Sequence, residues 1–152
     1  MKAAVYAGPG RLQLGDWPEP RIGPGEMLVR VSGCGLCGSD IVKIVAAAAG
    51  PAVLGHEVVG EVTAVGPGLP RFAPGDRLVV AHHVPCFECH YCRHGSPSMC
   101  REFKRINLDP GGFAELVAAI HLQRSAMSPL HTDTTHHAVL PAFQGRGIGE
   151  AL

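Results

Sequence analysis

Gly55-His56-Glu57-Val58-Val59-Gly60-Glu61-Val62-Thr63-Ala64-Val65-Gly66 joins a pair of metal-capable side chains to a β-branched run. Residues 58–65 favour an extended pleated conformation, and Gly66-Pro67-Gly68 closes them with a turn. The same pattern repeats outward in both directions. Strands are predicted at 1–6, 12–17, 26–31, 77–81 and 113–120. Gly8-Pro9-Gly10, Pro18, Pro74-Gly75-Asp76 and Gly111-Gly112 mark corners between them. Twenty glycines and thirteen prolines in 152 residues leave little room for long helices. Ser39-Asp40 reads as the cap of one short helix running through Ile44. The fold class is therefore mainly β with short helices, arranged as a small barrel or folded sheet.

Downstream of the 77–81 strand, Cys86, Cys89, Cys92 and Cys100 fall in the pattern C-x2-C-x2-C-x7-C. Thiolates are soft ligands, and four of them around Zn²⁺ complete a tetrahedron with no position open for chemistry. Pro85 and Gly95 help the backbone turn back on one ion. A disulfide pair or scattered core cysteines are the alternatives. The ligand-like spacing and the lack of a secretory signal favour zinc.

A second constellation is scattered. Cys34-Gly35-Leu36-Cys37-Gly38-Ser39-Asp40 and Gly55-His56-Glu57 lie far apart in sequence. A catalytic zinc takes about three protein ligands and keeps one position open. Cys37, His56 and Glu57 supply such a set if their loops meet. A His beside a Glu is, on its own, more often a surface or satisfied-core pair. Cys34 belongs to neither set and reads as a small buried strand residue.

Five motifs in one order make the combination specific: Cys37-Gly38-Ser39-Asp40, Gly55-His56-Glu57-x2-Gly60-x5-Gly66, Gly75-Asp76-Arg77, the four-cysteine lobe, and Gly111-Gly112-Phe113-Ala114-Glu115. On these residues the stretch 1–125 resembles the catalytic domain of the zinc-dependent medium-chain dehydrogenases, the alcohol and polyol dehydrogenases. The resemblance implies a GroES-like, partly open β-barrel with an inserted structural-zinc lobe at 86–100. It implies that Cys37 and His56 hold a catalytic zinc, with Glu57 as the carboxylate of the polyol branch. Asp40 would orient His56, and Ser39 would take the substrate proton. The implied reaction is oxidation of a small alcohol or polyol to a carbonyl, with hydride transfer to NAD(P). The implied metal content is one catalytic and one structural Zn²⁺.

The sequence also departs from that family. Val42 stands where the proton relay often continues to a histidine, and Ala46-Ala47-Ala48-Ala49 replaces a polar loop. Beyond Ser125 the character changes. Residues 126–137 lack periodicity and include His131, His136 and His137. No Gly-x-Gly-x-x-Gly turn within a βαβ unit follows, so a nicotinamide-binding Rossmann domain is not expected in this chain. No residue is assigned to the nicotinamide. Gln144-Gly145-Arg146-Gly147-Ile148-Gly149, preceded by Val139-Leu140-Pro141, resembles the acetyl-CoA pyrophosphate loop of the GNAT acetyltransferases, whose remaining fold has no room here. Residues 126–152 are expected to be an atypical tail of a truncated or fused chain, with little or no turnover by the chain alone. A non-catalytic zinc-binding fragment is the alternative reading.

Thirteen basic residues balance thirteen acidic ones. That neutrality, with a single compact knuckle, argues against nucleic acid despite Arg101, Lys104 and Arg105. Residues 1–6 are too short for a signal h-region, and no apolar run approaches a membrane span. A cytoplasmic location without membrane association is the expectation. Apolar surface left uncovered predicts self-association, as in a homo-oligomer.

Overall fold

The computed structural model describes residues 1–46, 50–104, 108–120 and 139–140. The elements are β1 (Lys2–Tyr6), β2 (Leu12–Asp16), β3 (Glu26–Gly35), α1 (Gly38–Val45), β4 (Ala52–Val53), β5 (Glu57–Val65), β6 (Arg77–Val80), α2 (His90–Arg93), β7 (Leu108–Asp109), β8 (Leu116–Ile120) and β9 (Val139–Leu140). They form two antiparallel sheets, one ordered β2-β1-β4 and the other β7-β8-β3-β5-β6-β9. Among the described residues the sheets do not close into a full barrel.

Alternation explains the core. In a strand, successive side chains point to opposite faces. Accordingly Met27 and Val29 of β3, Val58 and Val62 of β5, Leu78 and Val80 of β6, and Val117 and Ala119 of β8 all bury on one face. Each such valine contributes roughly 1.5–3 kcal/mol of transfer free energy relative to exposure. Ala3, Val5 and Val53 form a smaller cluster under Trp17 and Phe113.

Residues 113–115 join the two sheets. The Ala4 N–H donates to the Phe113 carbonyl at 2.7 Å, and the Glu115 N–H donates to the Lys2 carbonyl at 3.1 Å. On the other side, the Val31 N–H donates to the Glu115 carbonyl at 2.9 Å. The Gly-Gly-Phe-Ala-Glu motif is thus a structural splice between the sheets.

The long strands carry the site. β3 pairs with β5 through two register shifts, between Leu28 and Val29 and between Val31 and Gly33. Such irregularities bend and twist a strand. Past them, Gly33, Cys34 and Gly35 still face Val59, Val58 and Glu57. The end of β3 therefore arrives beside the start of β5. Gly60 permits the close approach: a Cβ there would run into the Arg30 carbonyl and the Val29 side chain.

Several expectations need correction. The strand predicted at 26–31 continues to Gly35, and the one predicted at 113–120 begins only at Leu116, because 113–115 is used by the splice. The cap of α1 is Cys37, not Ser39. Asp40 sits three residues into the turn and accepts the Cys37 N–H at 3.1 Å. The four-cysteine segment is not simply a loop, since α2 and a 3-10 turn at Pro97–Met99 lie within it. Of the Ala46–Ala49 run, Ala46 caps α1 and the rest lies outside the described residues. The tail calls at 126–137 and 141–152, including the acetyl-CoA-like loop, also lie outside them. Backbone pairing of β9 to β6 is the described feature of that tail.

Candidate metal centres

The lobe gathers all four of its cysteines. Sγ separations are 3.5 Å for Cys89 and Cys92, 3.6 Å for Cys86 and Cys100, and 4.0 Å for Cys86 and Cys92. Four sulfurs at about 2.3 Å from zinc define a tetrahedron with edges of about 3.8 Å. A disulfide would need about 2.05 Å, and every cysteine of the chain is a free thiol. The donor set fits a tetrahedral thiophilic ion.

Local backbone geometry builds this set. The Cys89 N–H donates to Cys86 Sγ at 3.3 Å, and the Cys86 N–H donates to Cys100 Sγ at 3.4 Å. Phe87 takes a positive φ of 61° so that the chain can fold back between the first two ligands. Gly95, at φ 77°, ends α2 and returns the chain toward Cys100. Burial raises the Cys86 and Cys92 thiols above their ordinary value. Burial acts on Cys100 too, but amides of Cys86, Phe103 and Glu102 outweigh it and bring that thiol down to about 6.

The second set also converges. One ligand atom each from Cys37, His56 and Glu57 lies within 4.8 Å of the others. Cys37 stands at the head of α1, while His56 and Glu57 open β5. Asp40 locks these elements together. It is fully buried, the one buried charged residue among those described. Its Oδ2 accepts the Cys37 N–H, and its Oδ1 accepts the Gly55 N–H at 3.3 Å and faces His56 Nδ1 at 3.3 Å. That contact selects the Nδ1–H tautomer and leaves the Nε2 lone pair for a metal. A buried carboxylate with three partners is affordable only because each bond is charge-assisted.

Gly55 adopts φ 90°, and a Cβ there would collide with Phe113 and Cys34 Sγ. Glu57 packs over Gly35, where a Cβ would collide with the carboxylate. Cys34 is half-buried beneath these glycines, and burial raises its thiol. Ser39 is exposed on the first turn of α1, two residues from Cys37. The set is half-buried on the Cys37 and His56 side and exposed at Glu57. It fits a metal that keeps an open coordination position.

His82 and His83 were not singled out by the sequence reading. The His82 ring lies 4.4 Å from that of His56, and the His83 ring lies 4.2 Å from that of His82. Burial, followed by the charges of His83 and His56, lowers His82 to about 4, so it is neutral at pH 7. Strand register was the available signal. Val80 pairs with Val58, so the residues just beyond β6 must come alongside His56.

The two antiparallel sheets with an inserted four-cysteine lobe define a GroES-like domain. Residues 23–128 match the alcohol dehydrogenase GroES-like domain family. The chain belongs to that family. It is 37% identical to D-altritol 5-dehydrogenase of Agrobacterium fabrum over 99% of this chain and 48% of that protein. It is 40% identical to an L-threonine 3-dehydrogenase of Streptomyces avermitilis over 78% of this chain and 37% of that protein. A thermostable alcohol dehydrogenase from Pyrobaculum aerophilum, solved with cobalt and zinc, superposes with a TM-score of 0.70. It is 33% identical, and the match covers 79% of this chain and 39% of that one. The chain thus spans about half the length, or less, of the relatives it matches. No helix among the described residues is long and apolar enough to cross a membrane.

Proposed function

We propose that residues 1–125 form the alcohol-activating domain of a zinc-dependent alcohol or polyol dehydrogenase, with NAD(P) as hydride acceptor. The observation that carries this reading is the convergence of Cys37, His56 and Glu57 around the Asp40 lock. A polyol is the favoured substrate class, supported by the name of the D-altritol relative and by the carboxylate of Glu57 in the set. The four cysteines of the lobe would hold a second, structural zinc.

Zinc bound by Cys37, His56 and Glu57 would supply Lewis-acid polarisation of an alcohol oxygen. The chain's own residues do the rest. Asp40 holds the Nδ1 proton of His56 and so fixes the ring and its basicity. Ser39 accepts the substrate hydroxyl proton and passes it outward. With exposed Val42 at the next relay position, that proton goes to solvent rather than to a further side chain. The lobe would take no part in proton transfer.

Cobalt substitution tests the reading. Titration of Co²⁺ into the zinc-free chain should give two spectroscopically distinct sites, an all-thiolate one and a mixed S/N/O one. Cys37→Ser should abolish the mixed site alone. A non-catalytic zinc-binding module is the competing reading, and it would show the all-thiolate site only.

A further inference from the structure

A column of rings links the two metal sets. His56 contacts His82 at 4.4 Å, His82 contacts His83 at 4.2 Å, and His83 contacts Phe103 at 5.4 Å between ring centroids. Both ends adjoin a metal set. At one end, His56 is itself a ligand candidate and bonds Asp40. At the other, Phe103 lies in the 3-10 turn Glu102–Lys104, three residues beyond Cys100, the fourth thiol of the lobe. The connector between β6 and the lobe is also fixed, since Val84 is buried in the main core two residues before Cys86.

We propose that Phe103, His83 and His82 are positioning residues through which occupancy of the four-cysteine lobe sets the metal affinity of Cys37, His56 and Glu57. A Cys100 held in the metal set fixes the start of the short turn that carries Phe103. Phe103 then backs His83, His83 backs His82, and His82 braces the face of His56. Aromatic contacts of this kind prefer offset or tilted geometries, and the interplanar angles of 36–55° along the column fit that preference. A lobe without metal leaves Cys100 and Phe103 free to shift, and His56 loses one of its two supports. The lobe is then a regulator of the second site and not only a staple. Coupling of this kind requires an element that both sites bias, and the ring column is that element.

This inference rests on the proposed dehydrogenase site, and the experiment separates the two. Lobe-loaded chain is titrated with Co²⁺, and binding at the mixed site is followed by its visible spectrum. Phe103→Leu keeps apolar bulk but removes the ring. It should weaken Co²⁺ binding at the mixed site about three- to tenfold, in line with the loss of one ring contact, while the lobe retains its metal. His83→Leu, which breaks the column outside the lobe, should do the same. His82→Phe keeps a ring and should stay within about twofold of the parent. Unchanged affinity in either leucine variant overturns the coupling and leaves the site itself standing. Failure of the parent chain to bind Co²⁺ at the mixed site overturns the proposed function instead.

Discussion

Asp40 Oδ1 lies 3.3 Å from His56 Nδ1 while also receiving the Gly55 amide, so one buried carboxylate sets both the backbone and the ring of the same ligand loop. Its other oxygen receives the amide of Cys37. Two candidate ligands nineteen positions apart thereby share a single anchor.

Asp40→Asn should keep the domain folded yet weaken Co²⁺ binding at the mixed site about 10–100-fold, the usual cost of losing a partner behind a ligating histidine. Asp40→Ala leaves two amides and a ring nitrogen without their acceptor. It should in addition lower unfolding free energy by about 1–3 kcal/mol. Spectroscopic titration and denaturant melts check the two effects separately.

Cys89→Ser should remove the lobe metal and with it much of the chain's folding free energy, because binding at such a site is itself folding energy. Cys37→Ser should leave the thermal midpoint nearly unchanged. Circular dichroism melts with and without chelator distinguish them. An equal loss in both variants would contradict the division into a supporting and a working site.

Gly60→Ala should destabilise by about 1–3 kcal/mol, the usual range for forcing extra atoms into a packed contact. A Cβ at that position meets the Arg30 carbonyl, which belongs to a strand that cannot move without breaking the β3–β5 pairing. Urea denaturation should show a lower midpoint with an unchanged slope.

Tyr6 is fully buried, and its hydroxyl has no hydrogen-bond partner among the described residues. Tyr6→Phe removes a polar group that gains nothing from burial, so stability should stay level or rise by up to about 1 kcal/mol. A clear loss of stability would show that the hydroxyl is satisfied in solution.

The Lys2–Asp16 pair, at 2.7 Å, joins the exposed faces of β1 and β2. Lys2, through its hydrogen bond and charge, holds the Asp16 carboxyl below its ordinary value. A depressed folded value means that any contribution is present above about pH 4 and fades as the pH falls further. Both side chains are solvated, so Asp16→Asn should leave the melting temperature unchanged in physiological salt.

Much of this was legible in the sequence because its signals were local. β-branched runs between glycine and proline corners located most of the longer strands, and spacing alone marked Cys86, Cys89, Cys92 and Cys100 as one set. Cys37, His56 and Glu57 could be grouped on donor chemistry, but not shown to meet, since their meeting depends on the bulged register of β3 against β5. The cap of α1 was misplaced because Cys37 is a poor capping residue by propensity. Asp40 holds that turn from within. The two-residue strands at Ala52–Val53 and Leu108–Asp109 were missed, being too short to show any period. His82 and His83 went unnoticed because adjacent histidines carry no motif, and only the pairing of Val80 with Val58 brings them to the site.

Exposed apolar side chains cluster on and beside α1: Leu36, Ile41, Val42 and Val45 are each at least half exposed. Self-association through this face is expected, and sedimentation velocity should show a concentration-dependent shift. Ile41→Lys combined with Val45→Lys should suppress that shift without altering the metal content.

The central claim is that one chain holds two separate metals in two chemically different sets. Native mass spectrometry of the zinc-loaded chain measures this directly. Two zinc ions on the parent and one on Cys37→Ser are the expected masses. A parent that never exceeds one zinc, or a Cys37→Ser variant that still carries two, would contradict it.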